Sequence, residues 1–184
     1  MKLPTNKSRS LRIQCHPKLK IDPPTTLKAL YYGSQSAHPS LVDVVTVIQR
    51  RGNAQPTKPF PALECVLGTT TPIHECLVEC IADSGSRTFI VAIQERPGTP
   101  NATLIETLRL PGEDWCMEVI VMQLGPDGSV VDFGSGGDQL NLAKNAVCRL
   151  LAQIHHLLRV ESEIGQPFLF PANLRVDSAA PVRR

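Results

Sequence analysis

The clearest pattern of apolar and polar positions lies near the end of the chain. From Asp138, an N-cap residue, Leu140, Ala143, Val147, Leu150, Ile154 and Leu157 fall on one stripe, and Leu142, Ala146, Leu151 and Leu158 widen it. This spacing predicts a helix from Asp138 to about Val160, wide enough on its apolar side to cover a sheet. Upstream, short apolar runs bounded by turn residues predict strands at Leu63–Gly68, His74–Asp83, Thr88–Glu95, Thr103–Leu110, Trp115–Leu124 and Ser129–Phe133. Ser84 to Arg87 and Gly125 to Gly128 read as tight turns, each closing a hairpin. In Ser40–Gly52, Leu41, Val44, Val45 and Ile48 recur at intervals of three and four between an N-cap serine and a glycine stop, which predicts a helix. Its four Val, one Ile and one Thr also suit a strand. No element is predicted before Ser40, and Gly165 to Val176 reads as extended.

Composition narrows the class. With 42% apolar and 20% charged residues over 184 positions, the chain has ordinary globular usage and the length of one domain with tails. No apolar run reaches the roughly 18–20 residues that a membrane-crossing helix needs. The six cysteines are scattered through apolar runs, which suits free thiols in an intracellular protein, cytoplasmic, nuclear or organellar.

Charge is unevenly distributed. Met1 to Lys28 holds seven Lys/Arg against one acid, Asp22, whereas Ala29 onward holds 12 bases against 16 acids. Residues 1–38 are therefore expected to be a basic, flexible tail, 39–160 the folded domain and 161–184 an extended C-terminal tail. The tail also has the look of an organellar transit segment, although Pro4, Pro17, Pro23 and Pro24 interrupt its amphipathic helix. The acidic balance of the body argues against broad polyanion binding, since phosphate affinity needs clustered cations.

Asp114 to Ile154 resembles the strand–strand–helix half of double-stranded-RNA-binding domains. A hairpin enters the Gly134-Ser135-Gly136 stretch, and Ala143-Lys144-Asn145, followed by small residues Ala146 and Cys148, falls where that family shows a similar triplet. Gln49-Arg50-Arg51-Gly52 is similar to the end of the family's first helix. The resemblance implies an α+β fold of order α-β-β-β-α, an antiparallel sheet with both helices on one face, and a β-hairpin inserted around 61–100. It further implies binding to double-stranded or structured RNA, through Thr46, Gln49, Arg50 and Arg51 on the first helix and Lys144 with Arg149 on the last. At the start of the last helix Leu140 and Asn141 stand where the family carries lysines, and the loop Pro111 to Asp114 contributes Glu113 and Asp114. RNA contacts are thus thinned at two of three regions. The alternatives are a protein-interaction or dimerisation module on the same fold, with Ser129–Phe133 and the last helix supplying the apolar surface, or a structural subunit of a ribonucleoprotein.

Other chemistry has weaker support. His74, Cys76 and Cys80 with Cys65 could offer four zinc ligands, but alternation along a strand explains the first three more simply. His155 and His156 suit the C-terminal end of a helix. Glu113, Asp114, Glu118, Asp132 and Asp138 are carboxylates near one unit, as loops and strand ends commonly carry. No nucleophile–base order or phosphate loop is present. The expectation is a non-enzyme without cofactor or metal, with Trp115 as a core anchor.

Overall fold

The computed structural model describes residues 25–47, 60–69, 71–82, 85–108, 115–134, 137–165 and 173–177. In chain order they form β1 (Thr25–Tyr32), β2 (Ser40–Val47), β3 (Phe60–Pro61), α1 (Glu64–Leu67), β4 (Ile73–Ala82), β5 (Gly85–Glu95), α2 (Ala102–Leu108), β6 (Met117–Leu124), β7 (Val130–Val131), α3 (Gly137–Ile164) and β8 (Asn173–Asp177). The class is α+β. Seven strands run in the order β3-β2-β1-β6-β5-β4-β8, and β7 pairs with β6 off that path. Every pairing is antiparallel except β4 with β8.

Alternation along the strands sorts apolar side chains onto two faces. On one, Leu30, Tyr32, Cys76, Val78, Phe89, Val91, Ile93, Val119 and Val121 meet Ala143, Ala146, Val147, Leu150, Leu151 and Ile154 of α3, together with Leu104 of α2. On the other, Ala29, Val44, Ala92, Ile120 and Met122 meet Leu63 and Leu67 of the α1 region. The sheet is therefore the middle of three layers. α3 begins and ends within a few residues of the expected helix, and its predicted stripe is the side that packs. At Gly134 a Cβ would meet the side-chain end of Gln139, a flexible group, and Ser135 and Gly136 lie outside the described residues.

Several expectations fail. Ser40–Val47 is a strand, not the start of a helix, and Gln49 to Gly52 lies outside the described residues. Five of its eight residues are β-branched, and the period of two that places Val42, Val44 and Thr46 on one side outcompetes the helical spacing. Thr25–Tyr32, expected within a flexible tail, is an interior strand with Ala29, Leu30 and Tyr32 buried. Leu63–Gly68 is a single helical turn ended by Gly68 at φ 81°, a left-handed conformation that glycine adopts without strain. The strand expected at Thr103–Leu110 is, as far as Leu108, helix α2, because Asn101 Oδ1 accepts the Leu104 N–H at 3.1 Å and so starts a helix.

The β4–β5 pair, expected as an inserted hairpin, is part of the main sheet. β5 bonds to both β4 and β6, which places the hairpin inside the sheet. The observed order therefore differs from α-β-β-β-α. One helix expected on the α3 face is replaced by β2, and α2 stands where the first of the three family strands was expected. Ser129–Phe133 pairs with β6 only at Val130 and Val131, after which Phe133 N donates to Lys28 O at 3.0 Å and runs beside β1. Beyond α3, β8 joins the outer edge of β4.

Candidate functional site

Of the six residues expected to touch RNA, the three that are described, Thr46, Lys144 and Arg149, do not share one face of the sheet. Thr46 is 3% exposed and spends its hydroxyl on Thr25 O at 2.8 Å. It lies on the α1 side of the sheet with Val44, whereas Lys144 and Arg149 belong to α3 on the opposite side. Gln49, Arg50 and Arg51 lie outside the described residues. Lys144 is exposed between Asn141 and Asn145, also exposed, and Arg149 is half-buried. The helix-based groove contact implied for Thr46 is corrected by its burial in a strand.

The apolar surface also lies elsewhere than expected. Phe133 is buried, its ring 6.3 Å from that of Phe89, and Val130 and Val131 are half-buried. Of the apolar residues on α3, Leu142, Ala146 and Leu151 are in the core, while Leu158 is exposed. Of the five large apolar side chains exposed among the described residues, three lie along the β2–β3 border, Leu41 (40% exposed) near the start of β2 and Val47 (44%) with Phe60 (55%) at its other end, while Leu77 and Leu158 lie elsewhere. Leu41 pairs with Leu30 and Phe60 with Val47, so all three point to the α3 side. α3 packs over β4, β5 and β8, leaving this end of the face bare among the described residues.

Among the described residues, part of the β2 backbone at that border has no strand partner as well. Ala62 N donates to Val45 O at 2.7 Å from outside the β1–β2 pair. By alternation, Leu41 and Asp43 also aim N–H and C=O outward. β3 pairs β2 only at Thr46 and Val47, and Pro61, which has no N–H, blunts the ladder there. Asp43 is held by Lys28 Nζ at 2.7 Å, so its charge is partnered within the chain.

A second concentration of chemistry sits on the α1 face. Glu118 interrupts the apolar run of β6 and is 8% exposed. Arg96 Nε and Nη2 both donate to its Oε2, at 3.0 and 2.9 Å, and Arg96 Nη2 also donates to Leu67 O. A carboxylate removed from water this far needs such a counter-charge. Ser34 Oγ lies 3.4 Å from Glu118 Oε1. The neighbouring Tyr31 phenol is pushed above its ordinary range by burial first and by the Glu118 carboxylate second, so it remains a donor at any physiological pH. Its ring lies against Gly33, where a Cβ would come within 2.6 Å of Tyr31 Cε1.

Of the other carboxylates noted in the sequence, Asp132 accepts Lys28 N and is exposed, Asp138 is exposed at the start of α3, and Glu113 and Asp114 lie outside the described residues. Neither Asp132 nor Asp138 forms an acid pair with Glu118. Cys76 and Cys80 face the α3 core while Cys65 is exposed on α1 across the sheet. Among the described residues no group of three His, Cys, Asp or Glu could hold a metal, and no helix is long and apolar enough to cross a membrane. Trp115 lies in the core. Tyr31, Gly33, Ser34 and Arg96 had no marker in the sequence; Glu118 did, as the one acid within an apolar strand. Comparison of the chain with protein-family models, with curated proteins and with solved structures gives no match.

Proposed function

We propose that the chain is a protein-interaction module that engages a partner along the β2–β3 border. The observation that carries this reading is the line of exposed Leu41, Val47 and Phe60 beside outward-facing backbone groups of β2. Apolar side chains next to unpaired strand backbone favour an extended partner segment, which gains ladder hydrogen bonds and buries its alternate side chains. Full burial of one such side chain is worth about 1.5–3 kcal/mol, and these three are already about half covered, so covering them adds only a few kcal/mol and the association is expected to be reversible.

RNA binding is the second reading, supported by exposed Lys144 between Asn141 and Asn145 and by the basic composition of residues 1–28. It lacks a described cluster of cations, and counterion release scales with their number. The two are separated by one pair of variants on the full chain. Leu41→Asp with Phe60→Ser should abolish partner capture and leave RNA retention unchanged, whereas Lys144→Glu should do the reverse if RNA is the ligand. Partner capture insensitive to the border variant would remove the interaction reading.

A further inference from the structure

The unpaired part of β2 has a centre. On its outer side β3 takes Thr46 and Val47, and Ala62 N donates to Val45 O at 2.7 Å. At the other end Pro39, which has no N–H, precedes the first strand residue, Ser40. Between these stops Ser40 to Val44 has no outer strand partner among the described residues, and Val42 is its middle residue. Leu41 and Asp43, on either side of Val42, aim their N–H and C=O outward, in step with Val45.

Such an edge is complementary to itself. Two antiparallel copies related by a two-fold axis at Val42 set Leu41 opposite Asp43 of the second copy, and Asp43 opposite its Leu41. Every outward N–H and C=O of these residues then finds a partner. Neighbouring registers do worse. An axis at Leu41 sets Asp43 against Pro39, which has no N–H to give. An axis at Asp43 sets two carboxylates face to face and brings Leu41 onto Val45, whose carbonyl already holds Ala62. An axis between residues would set outward groups against groups that point to β1. In the Val42 register each Asp43 lies beside an aliphatic side chain, and Lys28 Nζ at 2.7 Å holds its charge. Half-buried Val42 meets its own copy on the α1 side, as a β-branched cross-strand pair.

We propose that the partner of the β2–β3 border is a second copy of this chain, with β2 pairing to β2 about a two-fold axis at Val42. This rests on the border reading and names its occupant. Exposed Leu41 is covered by the ladder, and the turn before Ser40 of the second copy arrives beside Val47 and Phe60. The contact is small. So short a ladder covers less than the roughly 1,200 Å² at which stable interfaces begin, so the dimer is weak, with a Kd on the order of 10–100 μM.

The test uses the full chain. Sedimentation equilibrium from about 5 to about 500 μM should show a monomer–dimer equilibrium in that range. The register is read by mild oxidation of Val42→Cys and Asp43→Cys, with the unsubstituted chain as the baseline for its own thiols. Across the axis the two residues 42 form a pair whose Cα atoms stand about 4.5 Å apart, within disulfide range, whereas residues 43 are diagonal neighbours roughly 7–8 Å apart. Val42→Cys should therefore yield at least about fivefold more linked dimer than Asp43→Cys. Leu41→Asp, which faces Asp43 of the second copy, should weaken the dimer at least about tenfold, and Leu41→Lys should weaken it less. If Leu41→Asp unfolds, the cysteine pair decides. A chain that stays monomeric to about 500 μM, or linkage as strong at residue 43 as at residue 42, would overturn the proposal. A strict monomer that captures a different protein, with capture lost on Leu41→Asp, overturns the dimer and keeps the border reading.

Discussion

Arg96 and Glu118 are joined by two bonds to one oxygen, Arg96 Nε and Nη2 donating to Glu118 Oε2 at 3.0 and 2.9 Å, on the sheet face that also carries Ala92, Ile120 and Met122. The same guanidinium reaches Leu67 O, so the pair fastens α1 to β6. Replacing Arg96 by Met strands a carboxylate whose side chain is only 11% exposed. A fully buried pair broken this way costs about 3–5 kcal/mol; with Arg96 27% exposed, a loss of about 2–3 kcal/mol is expected in urea unfolding. Arg96→Met combined with Glu118→Leu should recover part of it, because no charge is then left without its partner.

Asn101 ties three segments together. Its Nδ2 donates to Tyr32 O at 2.9 Å and Met117 O at 2.7 Å, and its Oδ1 caps α2. Asn101→Ala removes the cap and leaves two carbonyls short of a donor, for an expected loss of about 2–4 kcal/mol. Thermal or urea unfolding checks this; a change below about 0.5 kcal/mol would place Asn101 outside the framework.

Alkaline pH should weaken the fold in a defined window. Burial pushes the Cys76 and Cys80 thiols from an ordinary 9.0 up to about 11. The neutral thiol is the form the core accepts, so this contribution is complete below pH 9.0 and is lost as pH climbs towards about 11, where the unfolded chain has released protons that the folded chain retains. Tyr31 and Tyr32, also raised chiefly by burial, steepen the loss above pH 10.0. Urea midpoints measured across this range should fall, and Cys76→Ala with Cys80→Ala should flatten the early part of the slope.

Exposure separates Thr46 from its neighbours at the border. Thr46→Val deletes the bond to Thr25 O from a buried position, for an expected cost of about 1 kcal/mol. Phe60→Ser, at an exposed position, should shift stability by no more than about 0.5 kcal/mol. The reverse ranking would mean that the border is buried in solution.

The parts of the fold legible in the sequence were those with one dominant period. α3 carries a broad stripe that only a helix aligns, and the β4–β5 and β6 segments carry long apolar runs closed by Gly-containing turns. Ser40–Val47 has both periods, so local pattern alone could not choose, and pairing with β1 decides for the strand. Thr25–Tyr32 sits beside basic, Pro-rich sequence whose composition masks the alternation of Leu27, Ala29 and Tyr31 against Leu30 and Tyr32. The α2 segment does carry a signal, the capping Asn101, but its apolar residues outweigh it. The Glu118 site was half-legible: an acid inside Met117–Leu124 calls for a counter-charge, yet which cation answers it depends on the β5–β6 register, which brings Arg96 close only after folding.

The most direct measurement is photo-cross-linking in cells with a probe at Phe60, compared with the same probe at exposed Asn145 on α3. The interaction reading expects one discrete protein adduct from Phe60, lost when Leu41→Asp is added, and none from Asn145. Equal labelling at both positions, or adducts to RNA from Asn145 with none to protein from Phe60, would contradict it.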